Sequence, residues 1–262
     1  MFVRLVKMFK YIGFAILFVF LPNISFVHSL VEGNKTLIKN HPWQASVIIR
    51  DTAWIFWWRE HKCGGTIIGR KWILSAAHCF DENSTDSIYE VRVGSSMASW
   101  WGHVYSISSV TLHGNRPSSD IAIIELADNM AFDDTVKEIR MAATDFTLTG
   151  FETLISSGFG RACFLCEFTE DLMEVRLDYI SWKDCRATFG RVTSKNICGM
   201  DKDKKSTVCR TDSGGPVSIV DSNNEHILVG LVRGGHDCVA ADPVVFTYIP
   251  EYRDWIQNIT GI

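Results

Sequence analysis

Three short stretches hold side chains that could together transfer an acyl group. Leu74-Ser-Ala-Ala-His78-Cys79 sets a histidine beside a cysteine at the end of an apolar run. Ser119-Asp120-Ile-Ala-Ile-Ile-Glu-Leu126 sets a carboxylate at the head of another, and Asp212-Ser213-Gly214-Gly215-Pro216 sets a serine in a glycine-rich turn. A serine hydroxyl is a weak nucleophile until a base takes its proton. Histidine suits that task because its pKa lies near operating pH, and a buried carboxylate fixes the imidazole tautomer. Singly, each stretch is weak: lone histidines are mostly structural, an Asp before a strand often caps a turn, and Gly-Gly-Pro is a common bend. The three in the order His, Asp, Ser are much harder to dismiss.

The elements that must position them read as strands. Short apolar stretches at Gln44–Ile49, Thr66–Leu74, Tyr89–Val93, Tyr105–Leu112 and Ile121–Leu126 are separated by turn residues. A second series covers Thr153–Ser156, Leu172–Ile180, Val217–Val220, Ile227–Val232 and Val244–Ile249. Strand-length runs with regular turn breaks predict an all-β barrel or sandwich. Residues 127–152 carry few strand signals and are placed to link two halves. From Pro250 onward, Tyr252, Trp255, Ile256 and Ile259 fall at i, i+3, i+4 and i+7, the spacing of one apolar helical face.

Composition and charge narrow the class. With 262 residues, 47% of them apolar, the chain can bury a substantial core as one large domain or two small ones. Its 26 basic residues against 30 acidic ones argue against a nucleic-acid footprint, which needs a basic face. Arg4, Lys7 and Lys10 precede an apolar run from Tyr11 to Leu21, closed by Pro22. A basic flank, a short apolar core and the small-residue exit Val27-His28-Ser29 predict a secretory signal peptide over residues 1–29. The run falls short of the ~18 residues of a stable membrane span. Removing residues 1–29 takes three positive charges and no negative ones, so the net charge moves from −4 to −7. Export would set an oxidising compartment for eight cysteines, at 63, 79, 163, 166, 185, 198, 209 and 238. Spacing alone does not choose among their pairings. Asn34-Lys-Thr36, Asn83-Ser-Thr85 and Asn258-Ile-Thr260 are glycosylation acceptor patterns.

From Leu30 to its end, on the three motifs above, the chain resembles the trypsin/chymotrypsin family of serine proteases (peptidase S1). The resemblance implies a domain over residues 30–262 made of two six-stranded antiparallel β-barrels, with the active site between them and a C-terminal helix. It implies His78, Asp120 and Ser213 as the catalytic triad and the backbone N–H groups of Thr211 and Ser213 as the oxyanion site. Thr207, Val208, Arg210, Arg233, Gly235 and Val244 would bind substrate, and a freed Leu30 amine would pair with Asp212. It also selects the bridges Cys63–Cys79, Cys185–Cys198 and Cys209–Cys238. Cys163 and Cys166 remain, and a local loop bridge suits them because a thioredoxin-like context is absent. Residues 94–119 lack the acidic residues with which calcium-binding relatives hold their ion, so no metal or other cofactor is expected.

Several positions depart from the family pattern. Leu30-Val-Glu-Gly33 follows Ser29 where relatives have a basic residue before Ile-Val-Gly-Gly. Thr211 stands for the glycine two before the nucleophile, and its β-branch restricts the backbone. Thr207 stands for the aspartate that trypsin-like members use to hold Lys or Arg, with Val208 and Val244 adding bulk. Arg233-Gly234-Gly235 replaces Ser-Trp-Gly, so a guanidinium is expected against Asp120, or else against Asp237. The expected function is a secreted, monomeric serine endopeptidase, not Lys/Arg-specific and reduced in activity, acting on proteins or peptides and met by protease inhibitors. The alternative is an impaired homologue that binds as a decoy, with Trp54, Trp57 and Trp58 as an aromatic interface loop.

Overall fold

The computed structural model describes residues 33–51, 58–80, 87–114, 119–161, 169–235 and 238–262. Six strands close the first barrel: β1 (Gln44–Asp51), β2 (Trp58–Gly69), β3 (Trp72–Ser75), β4 (Ser87–Val93), β5 (His103–Leu112) and β6 (Ala122–Leu126). Six more build the second: β7 (Thr153–Gly158), β8 (Met173–Ile180), β9 (Asn196–Met200), β10 (Pro216–Val220), β11 (His226–Gly235) and β12 (Val244–Tyr248). The first runs β1-β2-β3-β6-β5-β4 and the second β7-β8-β9-β12-β11-β10, the same order twice, each closed by antiparallel pairing of its ends. Closure leaves neither barrel a long open edge.

Period-two patterning explains the strands. In β8, Val175 and Leu177 are buried while Arg176 and Asp178 face out. Two sequence expectations change. The run Thr66–Leu74 is a hairpin, because Arg70 and Lys71 form a turn and Thr66 pairs with Leu74. Both of its arms carry core residues, Ile67 and Ile68 on one side of the turn and Ile73 and Leu74 on the other. Strand β9 is additional to the predicted set: only Ile197 and Met200 give it an aliphatic signal. Its Gly199 is needed for packing, since a Cβ there would stand 3.1 Å from Leu154, Leu177 and Phe246.

Ile67, Ile73, Val91 and Ile124 fill the first barrel, and Leu154, Leu177, Val229 and Phe246 the second. Each such side chain contributes about 1.5–3 kcal/mol by burial. Residues 127–152 link the barrels as expected, with Arg140 and Met141 pairing in parallel with β11. The predicted helix is a 310 turn over Ile249–Tyr252 followed by an α-helix, Arg253–Thr260. Tyr252 and Ile256 are buried in the first barrel's core although the helix follows the second barrel. The terminal segment therefore straps the two together.

Among the described residues three disulfides form, Cys63–Cys79, Cys185–Cys198 and Cys209–Cys238, the pairings the resemblance implied. Cys163, Cys166, Asn83 and residues 1–32 lie outside the described residues, as do Trp54, Trp57 and the side chain of Trp58. Asn34 and Asn258 are exposed. No helix among the described residues is long and apolar enough to cross a membrane.

Candidate active site

His78 sits on a single 310 turn, Ala77–Cys79, at the end of β3, where the Cys63–Cys79 bridge ties it to β2. Asp120 lies just before β6, the strand that pairs with β3. Its carboxylate takes two bonds from the same histidine: Nδ1 is 2.7 Å from Oδ2, and the His78 backbone N–H donates to Oδ1 at 2.9 Å. Asp120 is only 7% exposed, so burial favours its neutral form. The hydrogen bonds and charge of His78 outweigh that burial, with help from Arg233, and hold its pKa below the usual carboxylate value. The pair therefore fixes the imidazole with Nδ1 protonated and Nε2 left as a base.

The serine turn comes from the second barrel and is held against the first by backbone. Gly64 N donates to Ser213 O at 2.8 Å, while Gly214 N anchors the turn to its own barrel by donating to Val232 O of β11 at 2.7 Å. Such an approach has room only without side chains. Gly214 has φ +81°, and a Cβ there would stand 2.6 Å from Ala76 N; one on Gly64 would stand 2.7 Å from Gly215 Cα. Any larger residue at either position would push the turn off the histidine's strand.

Two neighbours of Ser213 are unusual. Thr211 has φ +74°, a conformation that a β-branched residue rarely adopts, and its Oγ1 is buried without a hydrogen-bond partner. Its carbonyl lies 3.1 Å from His61 Nε2, and His61 Nδ1 lies 2.7 Å from Ser46 Oγ. Burial lowers the His61 pKa to about 4, so the ring is neutral near pH 7 and carries one N–H. A carbonyl only accepts, so that proton is on Nε2 and the Ser46 hydroxyl donates to Nδ1. His61 thus orients the Thr211 carbonyl. The sequence reading missed it, although a histidine two residues before Cys63 was a visible signal.

Asp212 is half-buried, accepting from Gly160 N at 2.8 Å and Cys209 N at 2.9 Å. Burial pushes its pKa up to about 6 despite those bonds. It borders a cavity of about 50 Å³ that Gly33, Gly158, Gly160 and Thr207 also line. A separate cavity of about 200 Å³ opens at Ser213, lined by Val208, Cys209, Arg210, Gly234, Gly235 and Cys238. Val244 is buried in the barrel core behind it. Arg233 Nε stands 3.9 Å from Asp120 Oδ2, a charge contact beyond hydrogen-bond length. Leu30 and Asp237 lie outside the described residues. The side chains of Cys63, His78 and Cys79 converge like metal ligands, yet the disulfide engages both sulfurs.

A family model described as Trypsin matches residues 30–256. Transmembrane protease serine 11B of Homo sapiens is 30% identical over 243 residues, covering 90% of this chain and 56% of the relative. Transmembrane protease serine 11G of Mus musculus is 29% identical, with 89% and 56% covered, so the chain spans about half the length of these relatives. Trypsin 5G1 of Aedes aegypti is 28% identical over 211 residues, covering 78% of this chain and 77% of the relative. With two six-stranded barrels meeting at a paired His78 and Asp120, the chain belongs to the trypsin family of serine proteases.

Proposed function

We propose that this chain is a secreted serine endopeptidase in which Ser213 attacks the scissile carbonyl. His78 takes the serine proton and returns it to the leaving amine, and Asp120 orients His78 and stabilises its cation. The observation that carries this reading is the doubly hydrogen-bonded His78–Asp120 pair beside the docked serine turn. The N–H groups of Thr211 and Ser213 would receive the developing oxyanion. Export agrees with the disulfides and with the basic-apolar stretch at residues 1–29. A fluorophosphonate probe is expected to label the mature protein, and Ser213→Ala to abolish labelling. Folded wild-type protein that stays unlabelled would favour the second reading, an impaired homologue that binds protease partners or inhibitors. The strained Thr211 with its unpaired hydroxyl supports that alternative.

Cleavage after Lys or Arg is expected to be disfavoured against small apolar residues. No carboxylate lines the Ser213 cavity among the described residues, and Arg210 stands on its wall. A cation buried there would lose its hydration without gaining a partner. A peptide-library profile dominated by Lys or Arg at the cleaved position would overturn this assignment.

A further inference from the structure

The His78–Asp120 pair belongs to the first barrel and Ser213 to the second, so acyl transfer depends on the register between the two. We propose that Thr247 is a positioning residue that sets this register; this rests on the proteolytic reading above. Its hydroxyl holds the Asp120 backbone, and through it the imidazole of His78, in line with Ser213. Strand β12 runs Val244-Val245-Phe246-Thr247, four buried residues of which only the last is polar. A valine would fill the same space in an apolar strand, whereas a hydroxyl taken out of water needs a partner. Thr247 is 1% exposed, and its Oγ1 donates to the Asp120 carbonyl at 3.0 Å, from one barrel to the other.

The Asp120 carbonyl lies outside the ladders of β6, which begin by pairing Ala122 with Ser75 and with Leu112. The next carbonyl, of Ile121, accepts from His113 N at 3.1 Å. Successive peptides are thus tied to opposite barrels. The Asp120 Cα is bonded directly to the first of them, so a shift of that peptide carries the carboxylate with it. Asp120 Oδ2 in turn lies 2.7 Å from His78 Nδ1, and the direction of Nε2 follows. From Thr247 the path to the nucleophile is short. Thr247 stands opposite Leu231 in the β12–β11 ladder, and the next residue of β11, Val232, accepts from Gly214 N at 2.7 Å. One hydrogen bond therefore joins the frame of Asp120 to the frame of Ser213. Thr247 borders neither the cavity at Ser213 nor the one at Asp212, so its effect reaches substrate only through the triad.

Thr247→Val removes the hydroxyl and keeps the shape. In the mature protein it is expected to lower kcat about tenfold, the kinetic equivalent of one neutral hydrogen bond, with KM within about twofold of wild type. Thr247→Ser keeps the donor and should restore most of the rate. The proton between His78 Nδ1 and Asp120 should move upfield in the NMR spectrum of Thr247→Val and return in Thr247→Ser, a change that lost stability alone would not produce. Thr66 also carries a buried hydroxyl, without a hydrogen-bond partner among the described residues, and Thr66→Val should alter neither rate nor proton signal. If Thr247→Val does not fold, Thr247→Cys decides, because its thiol replaces the serine hydroxyl with a weak donor. A kcat equal to that of Thr247→Ser would then overturn the proposal. So would a folded Thr247→Val with unchanged kcat, a loss of rate with an unmoved proton, or a loss that Thr247→Ser fails to restore. A wild type that hydrolyses no peptide would sink the proteolytic reading alone. The proton signal needs no substrate and would decide the positioning role by itself, an unmoved signal in Thr247→Val overturning it.

Discussion

Thr211→Gly is expected to make the protein both faster and more stable. The backbone at Thr211 is left-handed, at φ +74°. That conformation costs an L-residue about 1–2 kcal/mol and glycine almost nothing. The buried hydroxyl without a partner adds about 1–3 kcal/mol. Glycine's larger unfolded-state entropy takes back about 0.5–1 kcal/mol, which leaves a net gain of about 1–4.5 kcal/mol. In a domain of this size that raises Tm by roughly 2–4 °C per kcal/mol. The rate should rise because the Thr211 N–H would serve an oxyanion that exists only in the transition state. A whole donor is worth about 2.7–4 kcal/mol, so recovering even a third of it increases kcat about five- to tenfold while leaving KM nearly unchanged. Thr211→Ala separates the causes: it removes the hydroxyl but keeps a Cβ at positive φ. A higher Tm with unchanged kcat would show that the strain is purely structural, and Arg233→Ser would then be the variant to measure.

The contrast between what could and could not be read from the sequence follows the range of the interactions. The His78, Asp120 and Ser213 motifs are local, each carried by five to eight consecutive residues, so their chemistry was visible before any fold was known. Strands with a continuous apolar pattern were equally visible, whereas β9 was not, because its identity comes from Gly199 packing under Phe246. Thr207, six residues before Ser213, lines the Asp212 cavity, and Val208 beside it lines both that cavity and the one at Ser213. Thr247 and Asp120 meet across the two barrels without any local signature, so their hydrogen bond is a property of tertiary structure alone.

The second large effect concerns the amine released at Leu30. Asp212 is half-buried with two backbone donors, and Gly33, three residues beyond Leu30, lines its cavity. Three residues reach at most about 10 Å, enough to bring a free Leu30 amine to that cavity. Without a cationic partner, burial raises the Asp212 pKa from 3.8 to about 6. The folded state then holds this proton more tightly than the unfolded state, so the associated stability is full below about pH 4 and is lost as pH rises through about 6. The loss amounts to about 3 kcal/mol. His61 works in the opposite sense over much of the same range: its lowered pKa, about 4, removes stability as pH falls below 6.5. Comparing two chains cancels that contribution. A chain beginning at Ser29 should destabilise between pH 4 and 6 relative to one beginning at Leu30, whose amine would keep Asp212 ionised through a buried charge pair. Asp212→Asn should erase the difference. The Leu30 chain should also react with a fluorophosphonate about a hundredfold faster, because the inserted amine would hold the 211–213 backbone where the oxyanion forms. Denaturant titrations across pH and probe kinetics measure both effects. Identical profiles for the two chains would defeat the proposal, and so would N-terminal sequencing that finds the exported protein starting upstream of Leu30.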